Sequence, residues 1–119
     1  MKRLAVFASG SGTNFEAIAQ ACVDGRIGAR VALLVCDVPG AKVLERGARF
    51  GVETFCFRPK SYAAKADFER EIADRMDALG IDLVCLAGYK DCAHGQMVAD
   101  SSVHDGILHI GNVQTDPDR

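Results

Sequence analysis

The sequence has no apolar run long enough to cross a bilayer. A membrane-spanning helix needs about 18 or more consecutive apolar residues, whereas the first apolar stretch, residues 4–8, stops at Ser9 and Gly10. Two cations, Lys2 and Arg3, precede that stretch as they do in a secretory signal. Because the stretch is so short, a buried first strand is the better interpretation, and we expect no membrane partner.

The sequence also lacks an excess of charge of either sign. It has 14 lysines and arginines against 16 aspartates and glutamates, a formal net charge of -2, and the two signs are mixed along the chain. With neither a basic arm nor an acidic tail, nothing favours nucleic acid as the main partner. Internal repeats and low-complexity segments are absent as well, and 119 residues fit one small domain.

The cysteines lack the paired spacing of a disulfide framework or a zinc site. Five of them are spread through the chain: Cys22, Cys36, Cys56, Cys85 and Cys92. Free cysteine behaves as a small hydrophobe, so we predict core thiols in a reducing compartment and place the protein in the cytoplasm. Cys92 and the three histidines, His94, His104 and His109, fit no standard zinc pattern, so no metal is expected.

What the sequence does contain is an alternation of apolar runs and amphipathic segments. Strands are predicted at residues 4–8, 30–36, 52–57 and 81–86, with one more short strand at 107–110. Helices are predicted at residues 14–24, 42–50 and 63–79, with Ser61 as the cap of the last one. Strands that alternate with helices form parallel βαβ units with right-handed crossovers. The predicted fold class is therefore α/β, a doubly wound and mostly parallel Rossmann-like sheet.

A glycine-rich turn, residues 9–14 (SGSGTN), joins the first predicted strand to the first predicted helix. Its glycines let backbone N–H groups approach an anion closely, and the helix that follows presents the positive end of its dipole. The side chains of Ser11, Thr13 and Asn14 add further donors. We predict anion binding here, at the carboxyl end of a strand. The alternative is a plain turn in which Thr13 or Asn14 caps the helix.

The glycine-rich turn matches neither of two common nucleotide motifs. It lacks the Gly-Lys-Ser/Thr ending of a Walker A loop, and Phe15 and Glu16 stand where the dinucleotide fingerprint has its third glycine. Asp37, at the end of the second predicted strand, has the position of a ribose-binding acid, which keeps a dinucleotide alternative open. We favour Asp37 as a turn residue before Pro39.

Four segments together resemble phosphoribosylglycinamide formyltransferase. They occur in the order of that family: residues 7–14 (FASGSGTN), 34–37 (LVCD), 43–48 (VLERGA) and 82–89 (DLVCLAGY). The resemblance covers residues 1–89, and it implies that these residues form a phosphate- and substrate-binding α/β region. It implies transfer of a formyl group from 10-formyltetrahydrofolate, the co-substrate, to the amino group of a phosphorylated ribosyl glycinamide in purine synthesis.

The resemblance also assigns site residues. It implies that the substrate phosphate lies on the glycine-rich turn, at Ser11, Gly12, Thr13 and Asn14. It places Gly88 beside both substrates. Lys65 falls near a basic residue that contacts the folate in relatives, although a solvated helix lysine is an equally good interpretation.

Beyond residue 89 the sequence departs from the family. Where the family has Met-Arg-Ile/Leu against the pterin, this chain has four different residues, which inherit the folate position: Lys90, Asp91, Cys92 and Ala93. The family's Asn-Ile-His-Pro-Ser strand supplies an amide and an imidazole to the formyl carbonyl. The nearest match, residues 107–112 (ILHIGN), puts His109 at the asparagine position and Gly111 at the histidine position. His109 is the remaining catalytic candidate.

Residues 90–119 are therefore predicted to be a divergent remnant of the catalytic region in the same domain. A truncation, a frame-shifted end and a deliberately altered segment each explain the departure, and the sequence does not choose between them. A truncated or inactive form of the enzyme is one expectation, and whether this chain is active stays open. Strands missing from the sheet would leave exposed edges that favour self-association. Two other functions stay open: a non-catalytic phosphate- or nucleotide-binding module, and another folate-dependent enzyme such as a hydrolase or a tRNA formyltransferase.

Overall fold

The computed structural model describes residues 2–87 and the backbone of residues 107–109. Five strands lie in these residues: β1 (Lys2–Ala8), β2 (Ala29–Cys36), β3 (Glu53–Cys56), β4 (Leu83–Leu86) and β5 (Ile107–His109). Three α-helices separate the first four strands: α1 (Thr13–Val23), α2 (Lys42–Arg49) and α3 (Lys65–Leu79). A short 3-10 helix, Pro59–Ser61, precedes α3. None of the helices in this part of the chain is long and apolar enough to cross a membrane.

The strands form one parallel sheet in the order β3-β2-β1-β4-β5. The chain moves outward from β1 through β2 to β3 and then crosses to the other side of β1, where β4 and β5 follow. This reversal makes the carboxyl end of β1 a topological switch point, the place where ligands bind in open α/β sheets. The predicted doubly wound parallel class is confirmed.

Helices cover both faces of the sheet, and each face has its own apolar core. In β1, Ala5 and Phe7 face the core beneath α3, while Val6 and Ala8 face the core beneath α1 and α2. Both cores are almost completely closed to solvent. A strand that is buried on two faces needs apolar residues at every position, which explains the uninterrupted apolar runs in the sequence.

The predicted cap of the third helix is wrong. Ser61 ends the 3-10 helix, where its hydroxyl donates to the carbonyl oxygen of Arg58 at 2.7 Å, and α3 begins only after Ala64. The intervening chain is extended at Tyr62, whose ring packs edge-on against Phe57 and Phe68. This aromatic packing separates the serine from the helix that it was expected to cap.

Candidate anion-binding site

The glycine-rich turn leaves β1 after Ala8 and enters α1 at Thr13. Gly12 is the residue before the helix, with a φ of 86°. A Cβ at Gly12 would lie 2.5 Å from Cγ2 and 2.9 Å from Cα of Val43, a fully buried residue of α2. Both the left-handed backbone and the close approach of α2 require glycine here.

Helix α2 holds the glycine-rich turn through two backbone carbonyls. The N–H of Val43 donates to the carbonyl oxygen of Gly10 at 3.1 Å. The Nε of Arg46 donates to the carbonyl oxygen of Ser11 at 2.6 Å, and the same guanidinium pairs with Glu16. The turn is thus fixed from the side of α2, between the ends of β1 and α1.

The first turn of α1 begins without the side-chain cap that the plain-turn alternative requires. The first helical hydrogen bond runs from the N–H of Glu16 to the carbonyl oxygen of Gly12 at 2.8 Å. Thr13 and Asn14 therefore lie inside the helix, and the capping position belongs to Gly12, which has no side chain. The alternative in which Thr13 or Asn14 caps α1 is wrong, because the helix starts one residue earlier than predicted.

The donors predicted for an anion lie together at this end of α1. Ser11, Thr13 and Asn14 are half-buried, so they line the surface of the turn rather than the core. The first N–H groups of an α-helix have no partner within the helix, and the helix dipole adds positive potential at the same point. Glu16 adds a negative charge to the first turn of α1, but it is paired with Arg46 and, at 2.9 Å, with Arg49.

Asp37 lies beside the turn in a structural role. It is 5% exposed and accepts a hydrogen bond of 2.5 Å from the hydroxyl of Ser9. This bond joins the end of β1 to the end of β2. A carboxylate that is buried and engaged in this way is poorly placed to bind a ribose, so the geometry disfavours the dinucleotide alternative.

The remaining predicted site residues fall at the border of the described residues or beyond it. Lys65 is the first residue of α3, and its side chain is outside the described part of the chain. His109 ends β5 in register with Leu86, which in turn is in register with Phe7 of β1. The backbone of His109 therefore lies at the same edge of the sheet as the turn, about 10 Å from β1. Outside the described residues lie the predicted sites Gly88, Lys90, Asp91, Cys92 and Ala93.

Burial raises the pKa of three of the four described cysteines. It raises the pKa of the Cys36 and Cys85 thiols to about 11 and shifts the pKa of Cys22 in the same direction. Cys36 and Cys85 are core thiols, as predicted, and half-buried Cys22 packs against the edge of the core. Cys56 is exposed, and the prediction is wrong for it because β3 is the edge strand of the sheet. Cys92 is outside the described residues.

The sequence reasoning missed the role of α2. Val43 and Arg46 belong to a segment that carried the family resemblance, but nothing in the local pattern assigned them a partner. The contact joins residues about 35 positions apart, so only the sheet order brings them together. The signal available in the sequence is Gly12 itself, because a glycine in a tight turn allows a neighbouring element to approach its backbone closely.

Comparison with known proteins identifies the class. The sequence pattern of the family described as Formyl transferase matches residues 2–110, and the chain belongs to this family. Within it, the chain is similar to phosphoribosylglycinamide formyltransferase of Bacillus subtilis (strain 168), with 49% identity over 89 residues. That match covers 75% of this chain and 46% of the relative. The resemblance predicted from the sequence is confirmed.

Solved structures show the same similarity in three dimensions. Glycinamide ribonucleotide transformylase 1 from Geobacillus kaustophilus superposes with a TM-score of 0.86 at 51% identity, over 92% of this chain and 57% of that one. Phosphoribosylglycinamide formyltransferase from Bacillus halodurans gives a TM-score of 0.83 at 39% identity, over 91% and 55%. The chain thus spans about half the length of the relatives that it matches.

Proposed function

We propose that this chain serves in the transfer of a formyl group from 10-formyltetrahydrofolate to phosphoribosylglycinamide, and that the glycine-rich turn holds the phosphate of that substrate. The observation that carries the proposal is the position of the turn, at the switch point of the sheet and at the start of α1. The names of the similar proteins supply the substrate. Binding in the cytoplasm to a small phosphorylated molecule, without nucleic acid or membrane, fits the composition.

The proposed phosphate ligands are the donors at the start of α1. Backbone N–H groups of Gly12 and Thr13, with the side chains of Ser11, Thr13 and Asn14, supply hydrogen bonds to phosphate oxygens. The ion pair with Arg46 offsets the negative charge of Glu16, so the potential at these donors stays positive. A dianionic phosphate is thereby favoured over a neutral ligand.

The residues proposed to act on the transferred formyl group follow from the family resemblance. The folate supplies the formyl carbon, and the substrate amine attacks it, so the site needs a donor to the formyl oxygen and a group that moves the proton. Gly88 is proposed between the two substrates, with Lys65, Lys90, Asp91, Cys92 and Ala93 on the folate side. His109 is the proposed proton-transferring residue. We propose residues 1–89 as the binding region and residues 90–119 as the altered catalytic region of one domain.

A non-catalytic phosphate-binding module is the second candidate. The sequence feature that favours it is the match of residues 107–112 to the family's catalytic strand, which puts Gly111 where an imidazole is required. Glycine cannot transfer a proton. Other folate-dependent formyltransferases or hydrolases remain as a third class, because the family pattern is described only as Formyl transferase.

Calorimetric titration with phosphoribosylglycinamide, paired with an assay of formyl transfer, tests the proposal. We expect saturable binding that Asn14→Ala weakens about tenfold, since a hydrogen bond to a charged group contributes about 1.5–3 kcal/mol. Gln20→Ala, on the exposed face of the same helix, is the matched control and should bind normally. Turnover by the chain would favour the enzyme over the binding module. Absence of binding to any phosphate compound would refute the proposed role of the turn.

A further inference from the structure

The two contacts from α2 to the glycine-rich turn fall on consecutive peptide groups. Val43 holds the carbonyl of Gly10, which belongs to the peptide joining Gly10 to Ser11. Arg46 holds the carbonyl of Ser11, which belongs to the peptide joining Ser11 to Gly12. One helix thus fixes the orientation of two successive peptide planes.

Fixing the carbonyls also fixes the N–H groups. The peptide bonds of the described residues are trans, and in a trans peptide the C=O and N–H bonds point in opposite directions. Because the Gly10 and Ser11 carbonyls point toward α2, the N–H groups of Ser11 and Gly12 point away from it. The Gly12 N–H, one of the proposed phosphate donors, is thereby aimed away from α2, as a backbone donor to a bound anion must be.

Arg46 is suited to this task by its fork-shaped side chain. Its Nε reaches the carbonyl of Ser11 while a terminal nitrogen pairs with Glu16, so the guanidinium bridges the turn and the first turn of α1. Its side chain is 25% exposed. Arg49 pairs with the same Glu16 oxygen, but within the described residues it makes no hydrogen bond to the turn, and its side chain is 60% exposed. The two arginines share a charge and a partner and differ in their contact with the turn.

We propose that Arg46 is a positioning residue of the phosphate site, which acts by orienting the Gly12 N–H toward the phosphate. The inference rests on the proposed function of the glycine-rich turn. Arg46 need not touch the phosphate, because its effect is carried through the Ser11–Gly12 peptide. A positive charge at position 46 is not sufficient to orient this peptide, since a lysine ammonium cannot occupy both bonding positions of the guanidinium.

The test compares three variants of this chain, Arg46→Lys, Arg46→Met and Arg49→Met, titrated with inorganic phosphate and with phosphoribosylglycinamide. Binding is measured by calorimetry and by the amide resonance of Gly12 in nitrogen-proton correlation spectra. In the parent chain the Gly12 amide proton resonance should shift downfield on phosphate binding, and this shift is the movement compared among the variants. Both Arg46 variants should bind about tenfold more weakly and lose that movement. Arg49→Met should bind within about twofold of the parent and keep it.

The outcomes separate the inference from the function on which it rests. If the parent chain binds neither ligand, the proposed function is wrong and the inference falls with it. If the parent binds and Arg46→Lys binds equally well with the Gly12 movement intact, the inference alone is wrong. Equal losses in Arg46→Met and Arg49→Met would also overturn it, because charge would then explain the effect. Thermal unfolding of Arg46→Lys, which keeps the charge and the helix propensity, identifies a loss caused by misfolding.

Discussion

At the scale of single residues, two features of the structure require glycine at position 12. Its φ of 86° lies in a region that side chains rarely adopt, and the space beside its Cα is filled by Val43. Gly10, two residues earlier in the same turn, has neither feature. Its φ is not positive, and a Cβ there would have no atom within 4 Å. Of these two glycines, Gly12 is the one whose backbone angle and packing require the absence of a side chain.

This difference predicts unequal effects of alanine. Gly12→Ala should lower the free energy of unfolding by about 2–5 kcal/mol, through backbone strain and the clash with Val43. Gly10→Ala, the matched control, should change it by less than about 1 kcal/mol. Urea denaturation of both variants measures this. Similar losses in the two would mean that α2 does not pack against Gly12 as described.

The buried thiols should make the free energy of unfolding depend on pH in the alkaline range. The pKa of Cys36 and of Cys85 is raised to about 11 in the folded chain, above the ordinary value of 9.0, because burial disfavours the thiolate. Below pH 9 both states keep these protons, so the two thiols should add no pH dependence. Between pH 9 and 11 the unfolded chain loses protons that the folded chain keeps, so stability should fall.

The measurement is denaturation at pH 8, 9, 10 and 11 for the parent and for a Cys36→Ala/Cys85→Ala variant. The variant should be less stable at pH 8 but should lose less further stability as the pH rises. Parallel losses in the two proteins would show that these thiols do not cause the alkaline decline. Alkylation mapping gives a separate check, since exposed Cys56 should react well before either buried thiol.

At the scale of elements, one side chain of α3, Arg75, lies against the edge strand β3. Arg75 of α3 pairs with Glu53 at 2.9 Å, and its guanidinium lies 4.9 Å from the centre of the Phe55 ring. Both partners belong to β3. A charged side chain over an edge strand disfavours pairing with a second chain.

Removal of Arg75 should therefore increase self-association. Arg75→Ala uncovers the Phe55 ring beside an open sheet edge, so we expect a higher proportion of dimers and larger species at equal concentration. Arg70→Ala, another exposed cation of α3, is the control and should behave like the parent. Sedimentation velocity over a range of concentrations measures both. An Arg75→Ala chain no more associated than the control would refute a protective role for this side chain.

The elements also show what the sequence could predict. The strands and α-helices in residues 2–87 were each predicted, because a run buried on two faces or an amphipathic stripe is a local signal, whereas the 3-10 helix Pro59–Ser61 was not. The cap at Ser61 was not predicted correctly, because packing of Tyr62 against Phe57 and Phe68 overrides the capping preference of serine. Strand ends differ by one or two residues, since hydrogen bonding to a neighbour decides where a strand stops.

At the scale of the whole molecule, the sheet order brings the site together. The glycine-rich turn was predicted from composition and position, but its contacts with α2 depend on β1 and β2 being neighbours and on α2 packing beside α1 on the same face of the sheet. The hydrogen bond between Ser9 and Asp37 also requires β1 and β2 to be adjacent strands. The proposed substrate comes from the similarity to named formyltransferases, because neither the turn nor the sheet specifies it.

The central claim is that the glycine-rich turn holds a phosphate. It is tested most directly by calorimetric titration of the chain with phosphoribosylglycinamide and, separately, with the same compound lacking its phosphate. The phosphorylated compound should bind at least about tenfold more tightly, and Asn14→Ala should remove most of that preference. Equal affinity for the two compounds, or a preference that Asn14→Ala leaves unchanged, would contradict the claim.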